Sequence, residues 1–213
     1  MIDVIPGIYD KDEAEVRRKI ALVAPYVSWI QIDFSDGTLV PKISLTDIAV
    51  LEKIIKEYPS LSFEAHLMVD HPEKYVRDLS GAGFKRLIAH VESADPRLFL
   101  EEAEYESIEV GMAIDGPTDF EQIEPYLDNV DFVLVITSEM GASGQPFQPE
   151  TVDKVKQIHE NLPDLPIEVD CGINDKTARM ARDAGATRLA VTSYLFSNHA
   201  NSISGAVKSL AGI

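Results

Sequence analysis

Four residues that could bind a metal ion or transfer a proton lie near the ends of apolar, strand-like segments. Asp33 lies in WIQIDFSDG, His66 in SFEAHLMV, His90 in RLIAHVE and Asp170 in PIEVDCG. If these segments are parallel strands, their carboxyl ends share one rim, and side chains distant in sequence meet there. Two carboxylates and two imidazoles at one rim can bind a divalent cation or act as general acids and bases.

The four residues differ in what their surroundings indicate. A carboxylate inside an apolar strand is costly unless it meets a cation or hydrogen bonds, so Asp33 and Asp170 are predicted to be functional. Gln31 shares the strand face of Asp33, because side chains alternate with a period of two. His66 is interpreted as a metal ligand because the two aspartates occupy equivalent strand ends. His90 is a weaker candidate, either a partner of the ligands or a loop anchor.

The elements that must position these residues repeat as strand and helix. Helical segments with one apolar face, such as Ile48, Leu51 and Ile55, separate the apolar runs. Eight such repeats of roughly 20–30 residues predict an α/β fold, a single (β/α)8 TIM barrel over residues 1–213. An open doubly wound sheet is the alternative, but IPGIYDKD after the first strand is not a glycine-rich phosphate motif. The predicted strands are Val4–Tyr9, Ser28–Phe34, Phe63–Val69, Arg86–Val91, Glu109–Ile114, Phe132–Thr137, Ile167–Asp170 and Arg188–Thr192.

Capping residues mark the predicted helix boundaries. Asp47, Asp95 and Asn174 suit helix starts, and the glycines of SGAGF and DAGAT suit helix ends. Asp36 and Gly37 have the chemistry of a turn.

Three later loops contain residues suited to binding a phosphate group. Barrels of this type often hold a phosphate between the loops after the seventh and eighth strands and a helix N-terminus. The sixth loop contains Ser143 and Gly144, Gly172 follows the seventh strand, and Thr192 and Ser193 follow the eighth. Together they predict a phosphate site.

Composition restricts the partners and the compartment. The formal net charge of −17 opposes binding to a phosphate backbone, so nucleic acid is not an expected partner. Cys171 is the only cysteine, which excludes an intrachain disulfide and favours a reducing compartment. The sequence has no secretory signal pattern at its N-terminus and no apolar stretch of membrane-spanning length. We therefore expect a cytoplasmic protein that does not enter a membrane.

The chain resembles ribulose-phosphate 3-epimerases along essentially its whole length. The pieces that carry the resemblance occur in family order and spacing: WIQIDFSDGTLVP, EAHLMVDHPEKYV, AHVES, GMAIDGPT, SGQPF and IEVDCGIN. Members of this family are (β/α)8 barrels that bind a divalent ion at the strand ends and invert carbon 3 of a pentulose 5-phosphate.

The resemblance implies roles for particular residues. Asp33 and Asp170 match the family's two acid–base aspartates, which are also metal ligands, and His66 matches a histidine ligand. Met68 matches a methionine that packs against the substrate. The phosphate-binding backbone falls at Gly144, Gly172 and Ser193.

Several positions depart from the family pattern. Gln31 stands where the family has a further histidine ligand, and Gly7 stands where it has a serine that contacts the substrate. Ser35 replaces a methionine. Ser143, Cys171 and Thr192 replace glycines. Gly7, Ser143 and Thr192 are retained here as predicted substrate-binding residues, and Gln31 is retained as a metal ligand through its amide oxygen.

The predicted reaction is therefore proton transfer at carbon 3, converting D-ribulose 5-phosphate to D-xylulose 5-phosphate. The expected cofactor is a divalent ion, Mg²⁺, Mn²⁺, Fe²⁺ or Zn²⁺, held more weakly because Gln31 replaces an imidazole. The alternatives are an epimerase or isomerase of another phosphorylated ketose, such as a hexulose 6-phosphate, and a barrel that binds a sugar phosphate without catalysis. The resemblance also implies a homo-oligomer.

Overall fold

The computed structural model describes residues 2–141, 144–199 and 202–213, and within them eight parallel strands close into a barrel in sequence order. The single (β/α)8 barrel predicted from the sequence is confirmed. The strands are β1 (Asp3–Ile8), β2 (Trp29–Phe34), β3 (Ser62–Leu67), β4 (Arg86–His90), β5 (Glu109–Ile114), β6 (Phe132–Ile136), β7 (Ile167–Asp170) and β8 (Arg188–Val191). Each predicted strand is present, with ends within two residues of the prediction.

Seven α-helices lie between and after the strands in this part of the chain. They are α1 (Glu13–Val23), α2 (Ile48–Glu57), α3 (Val76–Ala82), α4 (Pro96–Glu104), α5 (Val152–Asn161), α6 (Asp175–Asp183) and α7 (Ile203–Ala211). Their apolar faces pack on the outer face of the barrel and form the main core.

The predicted caps are largely present. The carboxylates of Asp47 and Asp95 accept backbone N–H groups at the starts of α2 and α4, and Asn174 forms a reciprocal capping box with Thr177 at α6. Gly83 ends α3 in the left-handed conformation, with φ of +105°. The prediction was wrong for Gly81, which lies inside α3, because the helix continues until the positive φ at Gly83 stops it.

One helix expected from the repeat is absent from the described residues. Between β5 and β6 the chain forms two short 3-10 helices, Phe120–Gln122 and Glu124–Asn129, in place of an α-helix. Pro125 lacks the N–H that an α-helix would use, and Pro117 restricts the residue before it.

The barrel interior is divided into a polar top, an apolar wall and a charged base. Asp33 and His66 lie opposite each other in the β2–β3 register, near the carboxyl ends of the strands. Two residues earlier, and therefore on the same inner faces, lie Gln31 and Glu64. Glu168 and Asp170 have the same relation on β7. Apolar side chains of β4, β5 and β6 fill one side of the interior: Ile88, Ala113, Phe132, Leu134 and Ile136.

None of the helices in the described ranges combines the length and the apolarity needed to cross a bilayer.

Candidate active site

Asp33, His66 and Asp170 meet at the carboxyl end of the barrel, as their strand-end positions predicted. Each offers one ligand atom, and the three atoms lie within 4.8 Å of one another. All three side chains are buried. His66 Nδ1 lies 2.9 Å from Asp33 Oδ1, so this nitrogen of the imidazole faces the carboxylates.

Burial and mutual repulsion govern the protonation of Asp170. Burial raises the pKa of Asp170, and the nearby charge of Asp33 raises it further, to about 7, although His66 and the Cys171 amide act in the opposite direction. The Cys171 N–H donates to Asp170 Oδ1 at 2.5 Å. Two carboxylates this close to each other are unfavourable unless a proton or a cation lies between them.

Gln31 lies beside this cluster but presents its nitrogen to it. Gln31 Nε2 donates to Asp33 Oδ1 at 2.8 Å. Gln31 Oε1 is buried and has no hydrogen-bond partner among the described residues. Rotating the amide by half a turn would point this oxygen toward Asp33. Gln31 could therefore coordinate a cation at the cluster only after that rotation.

The donor set fits a divalent cation. Two carboxylates and one imidazole converge on one point, and an unpartnered amide oxygen lies next to them. Oxygen donors with a single imidazole suit ions such as Mg²⁺ or Mn²⁺ as well as softer ions. Bound there, the ion would supply positive charge to stabilise an oxyanion of the substrate.

His90 lies directly behind His66. Their Nε2 atoms are 2.7 Å apart, and His90 Nδ1 lies 2.9 Å from Glu92 Oε2. Both histidines are buried, so this chain of contacts is shielded from water. The structure places His90 in contact with His66 and outside the cluster of potential ligand atoms.

A cavity of about 500 Å³, counting its open mouth, connects this cluster with the predicted phosphate loops. Its size suits a small phosphorylated sugar. Besides the three cluster residues, it is lined by five of the predicted substrate-binding residues: Met68, Gly144, Gly172, Thr192 and Ser193. Ser143 lies outside the described residues.

Two of the phosphate-loop positions have a backbone that favours glycine. Gly172 has φ of +62°, and a Cβ atom there would lie 2.6 Å from Phe147 N. Gly144 has φ of +81° and open space around it. Cys171, next to Gly172, also has a positive φ, +76°, which is unusual for a residue with a side chain.

Gly7 borders the cluster from β1. A Cβ atom at Gly7 would lie 2.7 Å from Thr192 Oγ1 and 3.8 Å from Asp33 Oδ2. The Thr192 hydroxyl therefore occupies the space that a side chain at position 7 would need. The two departures from the family pattern therefore adjoin each other at the wall of the cavity.

The sequence-based prediction missed several side chains that line the cavity, among them Tyr9 and Met140. Tyr9 follows Gly7 by two residues at the end of β1, so the period of the strand could have indicated it. Met140 belongs to the loop after β6, and no sequence pattern places it. Its N–H donates to Asp115 Oδ1 at 2.8 Å, which holds this loop against the end of β5.

Comparison with known proteins identifies the family. The model of the ribulose-phosphate 3 epimerase family matches residues 3–196. The chain is 32% identical to ribulose-phosphate 3-epimerase of Schizosaccharomyces pombe over 204 residues, which cover 93% of this chain and 88% of the relative. The identity to the Bacillus subtilis enzyme of the same name is 30%, covering 92% and 93% of the two chains. This protein belongs to the ribulose-phosphate 3-epimerase family.

Solved structures outside this family share the barrel. The 3-hexulose-6-phosphate synthase from Salmonella typhimurium aligns with a TM-score of 0.76 at 16% identity, covering 99% of this chain and 97% of that one. The KGPDC from Streptococcus mutans aligns with a TM-score of 0.76 at 12% identity, covering 99% and 96%. At these identities the similarity shows the fold alone. Membership of the epimerase family therefore rests on the family model and on the relatives near 30% identity.

Proposed function

We propose that this protein is a ribulose-phosphate 3-epimerase, an isomerase that converts D-ribulose 5-phosphate to D-xylulose 5-phosphate. The observation that carries the proposal is the placement of Asp33 and Asp170 at the cavity of a member of this family. The ligand atoms of these carboxylates lie within 4.8 Å of each other, on β2 and β7. Two acid–base groups on opposite sides of a small planar intermediate are what inversion at carbon 3 requires.

Each aspartate has one task in each direction of the reaction. One carboxylate removes the proton from carbon 3, and the other, in its protonated form, returns a proton from the opposite face. A hydrogen bond from Gln31 orients the Asp33 side chain, and burial favours the protonated form of Asp170. Gly144, Gly172 and Ser193 would hold the phosphate and Met68 would pack on the sugar, while Gly7 and Thr192 shape the wall beside Asp33.

Deuterium exchange tests this reaction directly. In D₂O, the protein should incorporate deuterium at carbon 3 of ribulose 5-phosphate, as read by NMR. Asp33→Asn and Asp170→Asn should each lower the rate by about 10²–10⁴-fold, because each removes a general acid or base. The exposed Asp153→Asn on α5 is the matched control and should exchange like the wild type.

The same assay separates the alternatives. Exchange with a hexulose 6-phosphate but not with the pentulose would assign a different substrate, for which the linked Gly7 and Thr192 departures are the structural reason. Exchange with no ketose phosphate at all would reduce the protein to a non-catalytic barrel.

We also propose that the resident ion is Mg²⁺ or Mn²⁺ in preference to Fe²⁺ or Zn²⁺, with Asp33, His66, Asp170 and Gln31 as its ligands. The amide oxygen of Gln31 favours ions that prefer oxygen ligands. Chelation should abolish the exchange, and added Mn²⁺ should restore it. Stoichiometric Zn²⁺ that survives exhaustive dialysis would contradict this preference.

Assembly and compartment are further proposals. Leu98 and Tyr105 lie seven residues apart on and just after α4, and Tyr105 is 85% exposed, which supports a homo-oligomer through this face. Light scattering of the wild type and of Tyr105→Lys would test it.

A cytoplasmic location is supported by two observations. The chain has a single cysteine, and it is similar to a rice relative named as a cytoplasmic isoform, 31% identical over 86% of this chain and 80% of the relative. Fluorescence microscopy of a tagged chain would test the location.

A further inference from the structure

A row of side chains, buried except for the partly exposed Glu92 at its end, runs from the candidate metal cluster to the loop after β4. Asp33 Oδ1 lies 2.9 Å from His66 Nδ1, His66 Nε2 lies 2.7 Å from His90 Nε2, and His90 Nδ1 lies 2.9 Å from Glu92 Oε2. Each contact is short enough to be a hydrogen bond. The direction in which each bond is donated follows from the far end of the row.

Glu92 fixes the proton positions because a carboxylate only accepts hydrogen bonds. Its Oε1 accepts the backbone N–H of Asp115 at 2.9 Å. Burial tends to raise the pKa of Glu92, but hydrogen bonds from His90 and Thr118 and the Asp115 amide lower it to about 2. Glu92 is therefore ionised at neutral pH, and its Oε2 must receive a proton from His90 Nδ1.

The next two proton positions follow in turn. A neutral His90 that carries its proton on Nδ1 has a lone pair on Nε2. His90 Nε2 must then accept from His66 Nε2–H, since two facing N–H groups at 2.7 Å would repel each other. This leaves His66 Nδ1 as the nitrogen that faces Asp33 and can offer its lone pair to a cation bound there.

We propose that His90 and Glu92 are positioning residues, which fix the tautomer and ring orientation of His66 so that its Nδ1 is the metal-binding atom. The inference deepens the proposed function, because it rests on a cation at the Asp33–His66–Asp170 cluster. Partners behind a ligating histidine hold its ring and raise its basicity, and losing them typically costs 10–100-fold in metal affinity.

Glu92→Gln provides a sharp test because it should reverse the direction in which each hydrogen bond of the row is donated. The oxygen of the introduced amide must stay with the Asp115 N–H, so its NH₂ group faces His90 Nδ1 and donates to it. His90 then carries its proton on Nε2 and donates to His66 Nε2. His66 is left with its proton on Nδ1, the position that the cation needs. The substitution preserves shape and hydrogen-bond number while placing the proton on the wrong atom.

The experiment has two readouts, and neither requires catalysis. In metal-free protein, ¹⁵N NMR of the imidazoles should show His90 protonated on Nδ1 in the wild type and on Nε2 in Glu92→Gln. Mn²⁺ binding, followed by electron paramagnetic resonance, should weaken by about 10–100-fold in Glu92→Gln. His71→Gln is the matched control: the His71 side chain is 47% exposed, contacts Glu73 at 3.1 Å and makes no contact in the row, so both readouts should stay unchanged.

Either of two results would overturn the proposal. One is a wild-type His90 protonated on Nε2, a measurement that needs no variant. The other is a folded Glu92→Gln protein that binds Mn²⁺ as tightly as the wild type. Failure of the epimerase proposal would appear elsewhere, as absent deuterium exchange in a protein with normal Mn²⁺ binding.

Discussion

Gly7 and Thr192 show how one local exchange can preserve a packed wall beside reactive groups. A Cβ atom at Gly7 would lie 2.7 Å from Thr192 Oγ1, closer than side chains tolerate, so a side chain at position 7 would force the Thr192 hydroxyl to shift. The hydroxyl at the wall of the cavity is therefore supplied by β8 in this chain. We expect substrate contacts on this side of the pocket to depend on both positions.

A double-mutant cycle should reveal this linkage. We expect Gly7→Ser to lower the free energy of unfolding by about 1–3 kcal/mol, the typical cost of overpacking. The loss should be much smaller in a Thr192→Ala background, because the opposing Oγ1 is gone. Urea denaturation measures both. Gly81→Ser is the control, since an added Cβ there meets nothing within 4 Å and should not couple with Thr192→Ala. Equal losses in both backgrounds would refute the linkage.

Gln31 offers a second residue-level prediction. Gln31→His should tighten metal binding and shift the preference toward Zn²⁺, because imidazole is a stronger ligand for zinc than an amide oxygen. Calorimetric titration with Zn²⁺ and Mg²⁺ would measure the change. Gln31→Leu, which has no donor atom, should weaken the binding of both ions. A histidine variant that does not differ from the wild type would argue against Gln31 as a ligand position.

Sequence patterns predicted which residues lie together at the strand ends. They did not predict side-chain orientations, which depend on packing. Asp33, His66 and Asp170 could be placed together because parallel strands share one rim. The contact between His66 and His90 depends on side-chain rotamers, and the direction of the Gln31 amide depends on its neighbours. Neither has a periodic signature.

At the scale of elements, the loop after β6 is held over the cavity from the end of β5. Asp115 accepts the Met140 N–H, and Lys154 of α5 donates to the carbonyl oxygens of Asp115 and Gly116. Met140 in turn packs against Tyr9, Val40 and Met68 at the mouth. The Asp115 carboxylate is therefore one of the contacts that set the position of this wall of the cavity.

Removing the Asp115 carboxylate should weaken substrate binding more than it slows the chemical step. We expect Asp115→Ala to raise the KM for the sugar phosphate several-fold with a smaller change in kcat, because the Met140 segment loses the bond that orients it, and a lost hydrogen bond of this kind is worth about 0.5–1.5 kcal/mol. Steady-state kinetics would measure both constants. Asp115→Asn keeps an acceptor oxygen and should stay close to the wild type. A kcat loss with an unchanged KM would assign Asp115 another role.

The strand–helix repeat of the sequence predicted the order of the elements, but it did not predict the type of helix in every repeat. Eight strands followed from apolar, β-branched runs, but the segment between β5 and β6 contains 3-10 helices. The repeat length alone suggested a helix there, and the prolines at positions 117 and 125 were the signal that could have corrected it.

At the scale of the whole molecule, the barrel is closed below the site by buried charge. Glu64 and Glu168 are fully buried, and Arg86 Nη1 contacts Glu64 Oε2 at 3.2 Å. One oxygen of Glu64 and both oxygens of Glu168 have no partner among the described residues when both groups are ionised. Burial raises the pKa of both glutamates, and the charge of Glu64 raises that of Glu168 further. A proton shared by the pair satisfies one of these oxygens on each glutamate.

Stability should therefore fall as the pH rises. A glutamate whose pKa is raised by folding stabilises the native state fully below its unfolded pKa, about 4.5, and this contribution disappears as the pH rises through the folded value. We expect Glu168→Gln, which carries its N–H at every pH, to show a flatter dependence and to exceed the wild type in stability at pH 8. Thermal unfolding from pH 5 to pH 8 would measure this. Glu101→Gln, on the surface of α4, is the control and should show the same pH dependence as the wild type. A Glu168→Gln curve that runs parallel to the wild-type curve would exclude the shared proton.

The base of the barrel also marks a limit of prediction at this scale. Glu64 and Glu168 lie within strands, where a sequence shows a charge but not which charges share one interior. Closure of the sheet brings β3 and β7 to opposite sides of one interior. The proximity of Glu64 and Glu168 therefore arises only once the barrel has closed.

Cys171, with its backbone in the left-handed region, has a consequence for oxidative stress. It is the sole cysteine of the chain, and burial holds the pKa of its thiol well above the ordinary value. Peroxides and alkylating agents attack the thiolate, which is scarce here at neutral pH. Catalysis by this protein should therefore survive exposures that silence enzymes with an ionised cysteine at the reaction centre.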